Sequence, residues 1–384
     1  SGPGNDGQRF AHLQSIIHTD IGREEFGKGM TAFWRRIVDE PDAFPPEFWQ
    51  LFLQSSLTAL GEKCRPVCVG MTWRRLITAG AMRQWRPRLE EVNREVRQFG
   101  VAVPGGVEHV GLRARTLHET GNWLVLTDCS NAFNTVKRTA VLEEVANCVP
   151  ALTPLVAKCY GTRPADVFFR MDSGETRKIA CSSGVQQGDP MGPAMFCLAL
   201  RPGLKRFRQE FEGEGVEAFA YMDDVSLGLT GITANTVRAF AFLRRELDDI
   251  GIVVNPAKTV ALPPKGHAPT AEEISLLESV DVRIADDGGV TVVGVPIGTE
   301  EYVRGRAMEG VRDGGADRLA RCLANMPDKQ AAALIAVESL GQRTSYLERA
   351  LDPGLSLEAC KRADNGAQWA YEKILELPGA AEAQ

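Results

Sequence analysis

AFAYMDDVSLGL, residues 218–229, sets two adjacent aspartates, Asp223 and Asp224, between two apolar runs that both read as β-strands. A tight hairpin turn ordinarily takes Asn-Gly, Asp-Gly or Gly-Gly at such a place. Here the runs AFAYM and VSLGL carry two carboxylates at a stiff tip, held by the strand pairing behind them. Like charges fixed side by side repel. Hard carboxylate oxygens are what Mg²⁺ takes, so a divalent cation is the neutralising partner this pattern suggests. Taken alone, an Asp-Asp pair is more simply a solvated acidic turn, and a third carboxylate is needed to shift that reading.

The third carboxylate stands in NWLVLTDCSNAF, residues 122–133. The run Trp123–Leu126 has the texture of a buried strand, and it ends at Asp128, next to a loop that leads into the helix-like VKRTAVLEEVANC. Asp128 by itself suits a turn or cap. If its strand lies beside the 218–229 hairpin, three carboxylates converge and are able to hold two metal ions roughly 3.5–4 Å apart, the clamp used for in-line displacement at phosphorus. That geometry predicts nucleotidyl transfer. A further candidate is Gln187, in the loop of SSGVQQGDPMGPAMFCLALRPGL, residues 182–204, where Gly184, Gly188 and Gly192 with Pro190 and Pro193 let backbone approach a flat ligand. Gln187 offers amide donors to a sugar or phosphate; the plainer reading makes it a turn residue before a helix capped by Asp189.

Outward from these motifs, the chain divides by texture. Residues 1–120 read as mostly helical, with helical period in PPEFWQLFLQSSLTAL (45–60) and in TWRRLITAGAMRQWRPRLEEVNREV (72–96) and a short β-like run, RPVCVG, between them. Residues 121–298 alternate short strands (NWLVLTD, DVFFRM, VEAFAYM, VSLGL, TVALP, VTVVGVPIG) with helices, an α+β pattern. From 299 to 384 strands cease and the pattern is helical, with the glycines of VRDGGADR expected to interrupt a helix. The opening SGPGNDG lacks an initiator Met and reads as a tag remnant or an excised piece, so it is set aside from fold reasoning.

Composition bounds the rest. With 384 residues, 44% of them hydrophobic and 24% charged, the chain is ordinary globular material, and no run of 18 apolar residues predicts a membrane span. Nine cysteines without CxxC pairs argue against a zinc ribbon, Cys64 and Cys68 having no second pair, and predict a reducing, intracellular setting, the nucleus included. The net charge of −6 hides a local excess: residues 61–100 carry nine Lys and Arg against four Glu and are expected to face phosphates.

DCSNAF, GVQQGDPMGP, YMDD, GIVVNPAKT and VGVPIGTEEYV occur in the order and spacing of the palm motifs of reverse transcriptases, and resemble those of retrotransposons without long terminal repeats; upstream, KCRPVCVGMTWRRL resembles the family's fingers motif. The resemblance covers about residues 45–300. It implies a right-hand polymerase: fingers in 1–120 with part of 150–183, a ferredoxin-like antiparallel palm in 121–298, and a helical thumb in 299–384. It implies synthesis of DNA on an RNA template from a DNA or RNA primer and dNTPs, with two Mg²⁺ ions or Mn²⁺ in their place.

Carried over residue by residue, the resemblance makes Asp128 and Asp223 the metal-holding pair and Asp224 their companion. It makes Phe133 the aromatic gate against a ribose 2′-OH, and places Gln187 against the incoming nucleotide and Met222 under the primer end. Lys63 and Arg65 match residues that hold the triphosphate, and Lys258 a lysine beside the leaving pyrophosphate. Arg suits phosphate as a planar fork and Lys as a mobile point charge. TVVGVPIGTEEYV is expected to form the primer-grip hairpin, turning at Gly294 and Gly298. The chain has no room for the nucleic-acid-binding and endonuclease segments such elements carry, so a polymerase core is expected. Two alternatives stand beside it: an RNA-dependent RNA polymerase, against which Phe133 speaks, and a catalytically silent scaffold, against which the three aspartates speak.

Overall fold

The computed structural model describes residues 7–18, 20–61, 64–161, 164–312 and 315–376; the opening residues 1–6 and Lys63 lie outside them. The strands, in chain order, are β1 (Ser55–Leu60), β2 (Arg65–Gly70), β3 (Trp123–Leu126), β4 (Cys129–Ser130), β5 (Ala165–Arg170), β6 (Thr176–Cys181), β7 (Val216–Tyr221), β8 (Asp224–Leu229), β9 (Val253–Val254), β10 (Val260–Leu262), β11 (Arg283–Ile284), β12 (Gly289–Val292) and β13 (Val295–Gly298). The chain falls into two units, the first made of residues up to Gly106 with Thr127–Ser226 and Asn235–Lys258, the second of Val107–Leu126, Leu227–Ala234 and the chain from Thr259 on.

In the first unit a four-stranded sheet runs in the order β2-β1-β5-β6. β1 is antiparallel to β2, with Leu57 opposite Cys68, and parallel to β5, with Ser55 opposite Val167. These pairings overturn the helix expected over 45–60: it stops at Phe52, and Ser55–Leu60 becomes a strand. The helical period of Leu57 and Leu60 is weaker than two flanking ladders of backbone hydrogen bonds, and Leu60 is left exposed. The single helix expected over 72–96 is two, Thr72–Gln84 and Arg86–Glu95. The break falls at Trp85, because Pro87 has no N–H to continue a helix and fits the first turn of a new one. β6, TRKIAC, carries no strand signal in its sequence because it is exposed and without apolar alternation, held by its pairing with β5.

The helix Gly192–Phe211 is the spine of this unit. Met195, Phe196, Cys197, Leu198, Phe207 and Phe211 are at most 1% exposed, and the helix passes through Pro202 without ending. The hairpin β7–β8 stands beside it, with Ala218, Phe219, Ala220 and Val225 buried. A hairpin rooted in buried residues holds its tip still, and that tip is Met222-Asp223.

The second unit carries β11, β10 and β3 side by side, followed by the end of β8, with Val260 opposite Leu126 in the antiparallel pair β10–β3. β12 and β13 form a separate two-stranded hairpin. Beyond it the described elements are all helical: Glu300–Arg312, Ala316–Ala324, Lys329–Ile335 continued by the π-helical Ala336–Leu340, Ser345–Ala350 and Pro353–Ile374. Their core is built from small residues, Ala320, Ala332, Ala336 and Ala370, with Leu323, Leu340 and Ile374, which lets the helices approach closely. The interruption expected at VRDGGADR agrees with helices that end at Arg312 and resume at Ala316, residues 313–314 lying outside the described ones. Among the described residues no helix is long and apolar enough to cross a membrane.

Candidate active site

Asp128, Asp223 and Asp224 all belong to the first unit. What brings them together is Thr127, the residue after β3, whose backbone N–H and side-chain hydroxyl both donate to the carbonyl of Val225, at 3.1 and 2.7 Å. Asp128 follows Thr127 and Asp224 precedes Val225, so the two acids flank one hydrogen-bonded link between distant parts of the chain. Asp223 is one residue further, in the turn. Behind Asp128 the chain is tied again, its carbonyl accepting from Asn255 N–H at 2.7 Å while β4 pairs with β9.

The three carboxylates share one electrostatic field. Burial, followed by the charges of Asp223 and Asp128, pushes the Asp224 carboxyl up to about 6. Asp223 is also raised, by burial and by Asp128; its own backbone hydrogen bond and the positive charge of Arg65 oppose the rise. The Cys129 thiol is pushed up to about 12, by burial and then by all three aspartates, so it is an inert neighbour. The raised carboxyls mark a place where negative charge is in excess and a cation is favoured.

Two cations answer that excess. Lys258, closing the short 3₁₀ turn Pro256–Lys258, places Nζ 3.0 Å from Oδ2 of Asp128. Arg65, exposed at the start of β2, is close enough for its charge to act on Asp223. Lys63, its partner in the sequence reading, lies outside the described residues.

Phe133, in the short helix Ala132–Thr135, stacks on Phe196 with ring centroids 4.4 Å apart and planes 8° from parallel. Phe196 is fully buried in the long helix, so one face of the Phe133 ring is backed by core and its position is fixed. Gln187 is half-buried, and its carbonyl accepts from Cys68 N–H on β2 at 2.7 Å. Gly188 follows with φ +102°, where a Cβ would come within 2.4 Å of the Cys68 carbonyl oxygen; only glycine allows this close approach of loop to strand. The Gln187 loop is therefore stitched to the strand that begins with Arg65.

Asp189 does more than the cap it was read as. It does accept Met191 N–H, at 3.0 Å, but its other oxygen receives Arg74 Nη2 and the Tyr160 hydroxyl, each at 2.6 Å. Arg74, expected to face phosphates with its basic neighbours, is 1% exposed and holds this buried carboxylate instead. Breaking such a pair by removing one partner costs about 3–5 kcal/mol, so the trio locks the loop to the helix Thr72–Gln84. No local signal announced it, because Arg74 and Asp189 stand 115 residues apart.

The donors present suit a divalent cation in kind, being hard carboxylate oxygens in mutual repulsion. They are not a closed ligand set as they stand: among the described residues no three His, Cys, Asp or Glu side chains are gathered tightly enough to hold a metal ion. One oxygen of Asp128 instead receives the Lys258 ammonium.

Residues 63–279 match the family described as Reverse transcriptase (RNA-dependent DNA polymerase). Among curated proteins, the chain is 29% identical over 218 residues to the retrotransposable element SLACS 132 kDa protein of Trypanosoma brucei gambiense, covering 54% of this chain and 17% of that protein. It is 27% identical over 155 residues to the Pol polyprotein from the type-1 retrotransposable element R2 of Bradysia coprophila, covering 38% of this chain and 17% of that one. The matched stretch thus spans about a sixth of each relative's length. A solved telomerase from Candida Tropicalis, in complex with a TWJ fragment of telomeric RNA, has the same fold at 12% identity, with a TM-score of 0.53 over 85% of this chain and 55% of that one. With the family match running through more than half of its residues, the chain belongs to the reverse transcriptases, and its relatives are those of retrotransposons without long terminal repeats.

Proposed function

We propose that this chain is a reverse transcriptase core that extends the 3′-OH of a DNA or RNA primer with dNTPs on an RNA template. In this reading the β1–β2–β5–β6 sheet and the N-terminal helices act as fingers, the strands around Asp128 and the β7–β8 hairpin as palm, and the helices after Thr299 as thumb. The observation that carries it is the Thr127–Val225 link, which sets Asp128 against the Asp223-Asp224 tip inside the family-matched stretch.

Asp128 and Asp223, with Asp224 in support, would hold two Mg²⁺ or Mn²⁺ ions, whose chemistry is to offset charge on the attacking and leaving oxygens. The protein's own residues supply alignment and proton control. Arg65 presents a planar fork of donors to the triphosphate. Lys258, released from Asp128, would give its proton to the leaving pyrophosphate. Phe133, braced by Phe196, would fill the space a ribose 2′-OH needs, which favours DNA synthesis over RNA synthesis. The setting that fits such work is intracellular.

Primer extension on a defined RNA template tests the reading, run with dNTPs or rNTPs, with and without Mg²⁺, against an Asp223→Asn control. The expected result is Mg²⁺-dependent extension by dNTPs that falls to background in Asp223→Asn while template–primer affinity is kept. Preferential use of rNTPs would favour an RNA polymerase; equal, background extension by both proteins would leave a binding scaffold.

A further inference from the structure

We propose that Gln98 is a positioning residue that holds the turn bearing Asp223 in its working conformation. This rests on the polymerase reading only for its catalytic consequence. Met222, the residue before Asp223, has φ +57°, in the left-handed region that a side chain other than glycine rarely adopts. Something must hold it there, and Gln98 grips it at both ends. Its Oε1 accepts Met222 N–H at 2.9 Å, and its Nε2 donates to the Met222 carbonyl at 2.9 Å. Oε1 takes a second hydrogen bond from Gly100 N–H at 3.0 Å, and the whole side chain is 0% exposed.

The clamp is itself anchored. Phe99 N–H donates to the Ala220 carbonyl at 2.7 Å and Ala220 N–H to the Arg97 carbonyl at 2.9 Å, a parallel bridge that lays residues 97–99 along the edge of β7. Arg97 adds an ion pair to Glu217 on the same strand, at 2.7 Å. Gly100 lies so close that a Cβ would come within 2.5 Å of the Met222 nitrogen. A carboxamide accepts with its oxygen and donates with its nitrogen, so glutamine supplies both ends of the grip at once. Glutamate would keep the acceptor and turn an oxygen against the Met222 carbonyl; methionine would keep the volume and lose both bonds. Without the clamp, Met222 relaxes towards ordinary φ and carries Asp223 out of register with Asp128.

The experiment compares wild type with Gln98→Met and Gln98→Glu by hydrogen–deuterium exchange of the segment 218–226 and by single-nucleotide primer extension with active-site titration. The expected exchange at the Met222 amide is at least about tenfold faster in Gln98→Met, which loses its acceptor, and faster by a smaller factor in Gln98→Glu, which keeps the acceptor but repels the Met222 carbonyl, with the helix Ala316–Ala324 unchanged as reference. The expected rate constant per titrated site falls roughly ten- to a hundredfold, as for a displaced catalytic group, while dNTP KM and template–primer affinity stay within about twofold. Unaltered exchange would overturn the proposal, as would a loss confined to the number of active sites with the rate per site unchanged. If wild type extends no primer, the polymerase reading fails and the exchange result alone decides the clamp. If both variants fail to fold, the wild-type Met222 amide decides: protection is expected, and free exchange would refute the grip.

Discussion

Two side chains, Asp224 and Phe133, translate directly into measurable outcomes. Asp224 has its carboxyl pushed up to about 6 from 3.8, by burial and then by the charges of Asp223 and Asp128. Between about pH 4 and pH 6 the folded chain keeps a proton that the unfolded chain releases, so this group lowers stability as pH rises through that window and the loss stays constant above it. Asp224→Asn, which cannot ionise, is therefore expected to melt higher than wild type at pH 7 in chelator, with the advantage gone below pH 4. Because Asp224 is exposed by surface area, solvent screens the repulsion and limits the gain to about 1 kcal/mol. An advantage that persists at pH 3.5 would show that charge is not its cause. For Phe133, the expected effect lies in selectivity: Phe133→Ala should lower the preference for dNTP over rNTP by about 10–200-fold, the scale on which a pocket discriminates by one small group. Unchanged sugar discrimination in single-turnover incorporation would remove Phe133 from that role.

At the scale of elements, hairpin turns carry the most information, and one of them is strained. β12 and β13 are joined by Val293 and Gly294, both with positive φ, +44° and +89°. Such a two-residue turn favours Asn-Gly, and a β-branched residue is the poorest choice at its first position. Val293→Asn is expected to raise stability by about 1 kcal/mol, since the Tyr346 hydroxyl bond to the residue 293 carbonyl, 2.8 Å, uses backbone only. Thermal melting checks it, and a lower melting temperature would mean that Val293 packing outweighs the relief. Gly298, read as a second turning point, ends β13 instead. The elements legible in the sequence were those whose signal is local. The run before Asp128, the β7–β8 tip and the glycine-rich loop before Gly192 each show their period and their turn chemistry within a few residues. The illegible ones depend on distant partners. β1 exists because β2 and β5 flank it, and the Arg74–Asp189–Tyr160 trio joins positions that no window spans. The same limit hid Gln98, whose role is set by a residue 124 positions away.

Across the whole chain, charge poses the question of how an acidic protein grips a phosphate backbone. The net charge is −6, and most of the basic stretch 61–100 is already engaged. Arg74 is buried on Asp189; Arg88, Arg94 and Arg97 pair with Glu91, Glu90 and Glu217; Arg75 is buried over the Phe10 ring. Arg83 and Arg86 differ. Both are exposed, and both line a cleft of about 490 Å³ with Pro190, Pro193 and no acidic residue, beside the loop that carries Gln187. If these two neutralise phosphates, each releases counterions on binding, and the dependence of affinity on salt should report it. Replacing both with glutamine is expected to weaken template–primer binding evenly across sequences and to flatten the slope of log affinity against log salt by about 1.4–1.8, the contribution of two phosphates to single- or double-stranded nucleic acid. Fluorescence anisotropy titrations across a salt series would measure both quantities. A slope equal to that of wild type would place the gripping charges elsewhere, because a lost packing contact lowers affinity equally at every salt concentration, whereas a lost phosphate contact does not.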